Sequence, residues 1–236
     1  MKLNRILSSV ALSALLVTPA AAQRQFDITT KPGAPVQSTM YGIFFEDINF
    51  GADGGLYAEM VENRSFEFPN RLMGWNTWGN VSVSSIKPAF DRNPNYVVLE
   101  PSGHREKSTG LENRGFFGMG LKKGMKYNFS VYGRLHLLNG KQAKIRVELV
   151  DENNNPMERK SITITNNQWK KYSVELTSKQ TLQKGYMRIF LEGNESVDLD
   201  HVSMFPADNW NGLRADLVKD LEDLHPGIFR FPGGCI

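Results

Sequence analysis

The chain has 236 residues, a formal net charge of +3 and charged residues of both signs along its length. It lacks the strongly basic balance typical of nucleic acid binding, so we expect no nucleic acid partner. The single cysteine, Cys235, excludes an internal disulfide framework. Hydrophobic cores alone must then stabilise the fold, and the length allows one or two domains.

Residues 1–22 have the pattern of a secretory signal peptide. Lys2 and Arg5 provide a positive start, residues 6–17 are mostly apolar, and small residues before Gln23 offer a cleavage site after Ala22. The apolar stretch is too short to span a membrane comfortably. We therefore predict export to the periplasm or the extracellular space, with no membrane contact after cleavage. Removal of this segment would lower the net charge from +3 to +1, because it carries two positive charges and no negative ones.

Residues 23–70 are predicted to hold a short strand at 26–30 and a first strand in the apolar run 40–45. A continuous apolar run is typical of a strand that is buried on both faces. Glu46 and Asp47 follow it directly. A carboxylate at the end of such a strand can accept hydrogen bonds from sugar hydroxyls, although two solvated acids at a loop start would look the same. In regular geometry at most one of the two faces a pocket.

Residues 71–206 alternate apolar and polar residues in short runs separated by turn signals. This pattern predicts an antiparallel, jelly-roll-like β-sandwich. Trp169 opens one run beside two lysines, so it is a possible sugar-stacking residue, although aromatic side chains in sandwiches more often belong to the core. The runs are carried by Tyr127, Phe129 and Val131; Ile145, Val147 and Leu149; Tyr172, Val174 and Leu176; and Met187, Ile189 and Leu191.

Other polar residues suggest weaker sites. Asp198 and Asp200 alternate along one strand, but two aspartates fall short of a calcium coordination shell. Glu59 and Glu62 have helical spacing, and we favour a solvated helix face for them. The four histidines lack metal-ligand spacing. We therefore predict neither a metal nor a cofactor.

Residues 207–236 are predicted to form a helix and a second strand. Leucines 213, 217, 221 and 224 share one helical face, with Asn211 as the expected N-cap and Pro226 beyond the end. Arg230 lies among apolar residues, so we expect it to be buried and paired with a carboxylate, either Glu46 or one supplied by a part of the protein beyond this chain. Cys235 follows a Gly-Gly turn, and pocket lining is a better assignment for it than nucleophile.

Two buried strands with a helix before the second form half of a βαβ crossover. The fold class is therefore mixed: the start of a (β/α)8 barrel, with two parallel strands and one helix, and an antiparallel β-sandwich inserted into the first strand-to-helix connection. The end of the chain directly after the second strand suggests the leading part of a larger enzyme.

Three blocks of sequence resemble the amino-terminal region of α-L-arabinofuranosidases of glycoside hydrolase family 51. They are Tyr-Gly-Ile-Phe-Phe-Glu-Asp-Ile-Asn at 41–49, Asp-Gly-Gly-Leu-Tyr-Ala-Glu at 53–59 and Asn-Arg-Ser-Phe-Glu at 63–67. The motif Arg-Phe-Pro-Gly-Gly-Cys at 230–235 is similar to the family's second barrel strand. The segment between these blocks resembles the carbohydrate-binding sandwich that some members carry.

The resemblance implies an enzyme that removes terminal arabinofuranosyl groups from arabinan or arabinoxylan with retention of configuration. It also implies substrate-binding roles for Glu46, Cys235 and Arg230. The two catalytic glutamates of the family come from later barrel strands, so we expect no catalytic residue in this chain and no hydrolysis by it alone. The alternative is a non-catalytic protein that binds plant polysaccharide or arabino-oligosaccharide through the sandwich. The sequence does not predict an oligomeric state.

Overall fold

A computed structural model describes residues 31–102, 108–136 and 141–232. The predicted signal peptide, the predicted strand at 26–30 and Cys235 lie outside these ranges. The chain divides into two compact units, residues 1–37 and 38–236. Of the first unit, residues 31–37 are described, and they contain no helix or strand. No helix among the described residues is long and apolar enough to cross a membrane.

Where the structure describes it, the second unit is built mainly from β-strands, with one short 3-10 helix (Ser38–Met40) and one α-helix, α1 (Ala215–Asp223). The strands are β1 (Gly42–Phe44), β2 (Trp75–Trp78), β3 (Asn80–Ser84), β4 (Tyr96–Glu100), β5 (Gly110–Asn113), β6 (Met119–Leu121), β7 (Lys126–Leu135), β8 (Ala143–Val150), β9 (Pro156–Ile164), β10 (Lys170–Thr177), β11 (Leu182–Glu192), β12 (Val197–Pro206) and β13 (Ile228–Arg230).

Strands β2 to β12 form two packed antiparallel sheets, as the sequence predicted. The front sheet has the order β10-β7-β12-β4-β3, and the back sheet has the order β2-β5-β11-β8-β9 with β6 also paired to β11. The alternating residues face inward: Phe129, Val131, Ile145 and Ile189 are all fully buried. This is the expected result of period-two patterning, because successive side chains on a strand point to opposite faces.

The front sheet carries a bulge in β12. The register between β12 and β7 shifts between Asp200 and Ser203. His201, inside the bulge, has a positive φ of 45°, a conformation that is uncommon for residues other than glycine. Bulges often re-aim side chains near functional sites. Here the bulge sets the direction of His201 on the outer face of the front sheet.

Strands β1 and β13 form a separate two-stranded parallel sheet, in which Gly42 pairs with Ile228 and Phe44 with Arg230. The predicted parallel pairing of these two strands, which precede and follow the sandwich in the sequence, is therefore confirmed. The prediction that these strands are buried is wrong: Phe44 is 51% exposed and Phe229 is 52% exposed. Within the described residues this sheet has no third strand, and neither face is covered.

The helix before β13 is present, but it starts later than predicted. Asn211 is not its N-cap, because residues 210–213 form a tight turn with Trp210 and Leu213 bonded to each other through their backbones. The helix begins at Ala215 after Arg214, which makes no side-chain cap. No residue of α1 is buried. The apolar residues of α1, among them Leu217, Val218 and Leu221, are therefore only partly covered.

Candidate functional site

The first predicted site lies at the carboxyl ends of β1 and β13. The N–H of Phe45 donates to the carbonyl of Arg230 at 3.0 Å, so the two chains run side by side up to Glu46. Glu46 is partly exposed, and its side chain has no hydrogen bond or ion pair with any described residue. The backbone thus brings the segments of Glu46 and Arg230 together. Cys235, the third predicted member, lies outside the described residues.

Arg230 does not have the environment that the sequence predicted. It is exposed, and its guanidinium carbon lies 4.9 Å from the centre of the Phe44 ring. It forms no salt bridge within the described residues, so the predicted burial and the pairing with Glu46 are wrong, whereas pairing with a carboxylate from beyond this chain stays a prediction. The physical reason is the uncovered sheet: a solvated guanidinium needs no carboxylate and packs its plane against an aromatic ring instead.

Trp169, the predicted sugar-stacking residue, is fixed by neighbouring side chains. Its Nε1–H donates to the carbonyl of Lys87 at 3.0 Å. The guanidinium carbon of Arg134 lies 4.5 Å from the indole centre, and the ring of Tyr96 meets it edge-on at 5.1 Å. These contacts leave the indole half-buried and occupy one of its faces. The sugar-stacking role of Trp169 stays a prediction.

On β12, the carboxylate of Asp198 is engaged by two basic side chains. Its carboxylate accepts from Nε of Arg134 at 2.7 Å and lies 2.6 Å from Nδ1 of His136, so both oxygens already have partners. Among the described residues no group of three or more histidine, cysteine, aspartate or glutamate side chains could hold a metal ion. Asp198 therefore acts as the buried partner of a basic cluster.

The outer face of the front sheet carries a cleft of about 740 Å³; we call it the front cleft. Its floor consists of cross-strand rows on β10, β7 and β12. One row holds three serines, Ser173, Ser130 and Ser203, side by side. The row on one side pairs Lys171 with Tyr132, and the row on the other holds Glu175, Asn128 and Phe205. Small hydroxyl residues thus form a low strip between larger side chains.

Aromatic side chains form the walls of the front cleft. Phe90 packs against Tyr132 at 4.9 Å between ring centres and against the His201 ring at 4.3 Å. On the other side Tyr57 meets Phe205 edge-on at 5.3 Å. Aromatic walls around a floor of hydroxyl groups suit a sugar ring, which presents apolar C–H faces and polar edges.

A buried glutamate anchors one wall of the front cleft. Glu59 is 3% exposed and accepts from the Ser203 hydroxyl at 2.7 Å and from the Met204 N–H at 2.9 Å, which ties residues 57–66 to β12. Burial raises the pKa of Glu59, and these hydrogen bonds offset that rise only in part. The predicted solvated helix face is therefore wrong, since residues 58–61 are non-helical and packed.

Two titratable groups lie at the wall of the front cleft: half-buried His201 is part of the wall, and fully buried Asp200 lies beneath it. Burial raises the pKa of Asp200 to about 7 and lowers that of His201 to about 4. Oδ2 of Asp200 and Nε2 of His201 are buried without a hydrogen-bond partner among the described residues. Unpaired polar atoms of this kind are costly, and they are often found at functional sites.

Sequence reasoning missed the front cleft. Tyr132, Lys171 and the serines occupy the outward positions of strands that were predicted correctly, so the alternation could have identified them. Phe90 and Tyr57 lie on irregular segments, and no periodic signal connects these segments to the sheet. His201 enters the wall through the bulge, which strand patterning does not reveal.

Comparison with known proteins gives a consistent assignment. The family model described as carbohydrate binding domain matches residues 58–197. An extracellular exo-α-L-arabinofuranosidase of Streptomyces chartreusis is 36% identical over 97% of this chain, which covers 29% of that protein. α-L-Arabinofuranosidase 1 of Arabidopsis thaliana is 30% identical over 91% of this chain and 34% of its own length.

A solved structure agrees with these matches. The arabinose-bound family 51 α-L-arabinofuranosidase MgGH51 superposes with a TM-score of 0.75 and 28% identity, over 87% of this chain and 36% of that chain. The chain spans about a third of the length of the relatives it matches. The predicted resemblance is confirmed: nearly the whole chain is similar to proteins named α-L-arabinofuranosidases, and through residues 58–197 the chain belongs to the carbohydrate binding domain family.

Proposed function

We propose that the chain supplies the sandwich and the first strands of an exported α-L-arabinofuranosidase that removes terminal arabinofuranosyl groups from arabinan or arabinoxylan with retention. The parallel pairing of β1 with β13 carries this proposal. Sandwich insertion separates these strands in the chain, and their pairing returns the Glu46 segment to the Arg230 segment. The similarity to named arabinofuranosidases supports the same function.

The proposed organisation has four parts: a signal peptide at 1–22, the first barrel strand and its loop within 23–70, the sandwich at 71–206, and the first barrel helix with the second strand at 207–236. Parallel strands that start a barrel need further strands and helices to cover them. The exposed apolar side chains of β1 and β13 fit that need.

In this proposal the chain binds substrate and does not cleave it. Glu46 accepts hydrogen bonds from arabinose hydroxyls, Arg230 supports the pocket from the neighbouring strand, and Cys235 lines it. A retaining glycosidase needs an acid/base carboxyl and a nucleophilic carboxylate about 5 Å apart. We assign both to barrel strands beyond those in this chain.

Two measurements test this division of roles. We expect the purified chain to release no nitrophenol from 4-nitrophenyl α-L-arabinofuranoside. We also expect the coding DNA after the Ile236 codon to continue in frame into further strands with two glutamates. Activity of the chain that disappears in a Glu46→Gln variant would contradict the assignment. A stop codon followed by unrelated sequence would contradict membership of a longer enzyme.

The front cleft favours a second function, the binding of polysaccharide by the sandwich. This is the role of a non-catalytic carbohydrate-binding protein, and it is compatible with the enzyme. Calorimetric titration of the chain with arabinan and arabinoxylan tests it. We expect Tyr132→Ala to abolish binding, whereas Trp169→Phe should preserve it. If Trp169→Phe abolished binding and Tyr132→Ala preserved it, the binding surface would lie at Trp169 and not in the front cleft. If the wild-type chain bound neither polysaccharide, the proposed binding role of the sandwich would be wrong.

A further inference from the structure

The front cleft contains more positive than negative charge. Arg64 and Lys171 both line it. Lys171 forms no salt bridge within the described residues. Arg64 has one carboxylate partner, Glu59, and the Nη1–Oε2 distance of 3.5 Å is long. The Arg64 side chain is 40% exposed although Glu59 is buried, so most of its N–H donors remain available to a ligand.

Each acidic group near the front cleft has its own partner or is out of reach. Glu175 lines the cleft but pairs with Lys126 at 2.9 Å. Glu59 already accepts from Ser203 and from three backbone N–H groups. Glu67 accepts from the N–H of Asn95 at 2.7 Å. Asp200 is fully buried beneath the wall. The two cations therefore dominate the accessible surface of the cleft.

These cations are placed beside the sugar-shaped part of the cleft. Lys171 pairs across the strands with Tyr132, and the serine row begins two residues further along the sheet. Arg64 lies near the opposite wall, with its guanidinium carbon 6.0 Å from the centre of the Tyr57 ring. Both cations help to keep the imidazole of His201 neutral, because they lower its pKa in addition to the effect of burial.

We propose that the front cleft selects saccharide chains that carry a carboxylate, of the uronic acid class, with Lys171 and Arg64 as the contacts to the acid. The inference rests on the proposed carbohydrate binding and deepens it. Neutral chains would use the aromatic walls and the serine row alone. A uronate would add charge-assisted hydrogen bonds, which are stronger than neutral ones.

A matched pair of ligands tests the proposal with the full chain. One is a xylan with glucuronic acid side groups, and the other is the same polymer after chemical reduction of its carboxyls to alcohols. By isothermal titration calorimetry we expect reduction to weaken binding roughly tenfold. Lys171→Gln should cause a similar loss for the acidic polymer only. Lys170→Gln is the control. It removes the same charge from the adjacent residue of β10, whose side chain points to the opposite face of the sheet, so the affinities for the acidic and the reduced polymer should both stay unchanged.

The remaining outcomes separate the inference from the proposed function. Equal binding of both polymers, abolished by Tyr132→Ala, would overturn acid selection and leave carbohydrate binding intact. If the chain bound neither polymer, both the acid selection and the proposed carbohydrate binding would be wrong. Polyglutamate that binds as tightly as the acidic xylan would overturn the inference, because the sugar would then play no part. Selectivity that survives in both Lys171→Gln and Arg64→Gln would overturn the assignment of these residues.

Discussion

The sandwich and the parallel pair of strands differ in how each uses its apolar residues. In the sandwich the inward residues of β7, β8 and β11 are almost fully enclosed between two sheets. In the parallel pair no residue of β1 or β13 is buried, although their sequences are at least as apolar. The difference shows that apolar composition alone does not produce burial; a second layer must be present.

The same contrast applies to polar groups. On the outer face of the front sheet, Arg134 has a defined partner, the buried carboxylate of Asp198. Arg230 on β13 has a ring contact and solvent instead. The sandwich can therefore present an organised cleft, whereas the parallel pair positions its candidate residues through the backbone alone.

The largest expected effect tests burial itself. Phe129 is 0% exposed in the sandwich core, and Phe229 is 52% exposed on β13. We expect Phe129→Ala to lower the free energy of unfolding by about 4 kcal/mol, because it removes a buried ring and leaves a cavity. The matched Phe229→Ala change should cost less than about 1 kcal/mol. Urea denaturation followed by fluorescence measures both, and equal losses would show that β13 is covered in solution.

A pair of arginines sharpens the comparison for charge. The Arg134 side chain is 14% exposed and pairs with the buried carboxylate of Asp198. We expect Arg134→Ala to lower the free energy of unfolding by about 3 kcal/mol, because it leaves the buried carboxylate of Asp198 without its guanidinium partner. Arg230→Ala should cost less than about 1 kcal/mol, the scale of an exposed contact between a cation and a ring. A loss near 3 kcal/mol for Arg230 in urea titrations would instead restore the predicted buried pair.

The pH dependence of stability reports on Asp200. Burial raises the pKa of this group from 3.8 to about 7, so the folded chain holds its proton more tightly than the unfolded chain. Its contribution to stability is therefore complete below pH 4 and is lost as the pH rises through 7. We expect Asp200→Asn to match the wild type at pH 4 and to be about 2 kcal/mol more stable at pH 8.5.

Burial lowers the pKa of His201 from 6.5 to about 4, so this group makes stability fall as the pH decreases, opposite to the effect of Asp200. The wild type and the Asp200→Asn variant both contain His201. The difference between wild type and variant therefore isolates Asp200. Exposed Asp220→Asn is the control and should show no such pH trend. A difference between Asp200→Asn and wild type that stays constant from pH 4 to 8.5 would argue against a buried, perturbed carboxyl.

The smallest expected effect concerns Trp169. Trp169→Phe removes the hydrogen bond to the Lys87 carbonyl and weakens the contact with Arg134, so we expect a loss of about 1 kcal/mol. Trp210, which is 55% exposed, provides the matched control, and Trp210→Phe should stay within about 0.5 kcal/mol. Thermal unfolding followed by circular dichroism distinguishes the two. Equal stability of both variants would remove the structural role of Trp169 and favour the sugar-stacking one.

Sequence reasoning was most successful where the signal was periodic. The apolar alternation around Phe129, Ile145 and Ile189 located three long strands and the antiparallel sandwich. The pairing of β1 with β13 was also predictable, since a strand, a helix and a second strand form a right-handed crossover whatever is inserted between them. The substrate-binding roles of Glu46 and Arg230 stay predictions, because the structure brings their segments together without showing a ligand contact.

The sequence by itself determined the period-two core and the family resemblance, because each depends on local alternation or on short motifs. It also determined the parallel pairing of β1 with β13, because the order of strand, helix and strand favours that pairing although the two strands are far apart in the chain. Tertiary structure decided the rest. Residues 57–66 and the irregular segment around Phe90 pack against the front sheet, and this packing forms the cleft. The tertiary structure also buries Glu59 and raises the pKa of Asp200. Likewise, only the lack of a covering layer in the described residues left Arg230 in solvent. Burial of a side chain is a property of its neighbours in space, and a local pattern does not specify those neighbours.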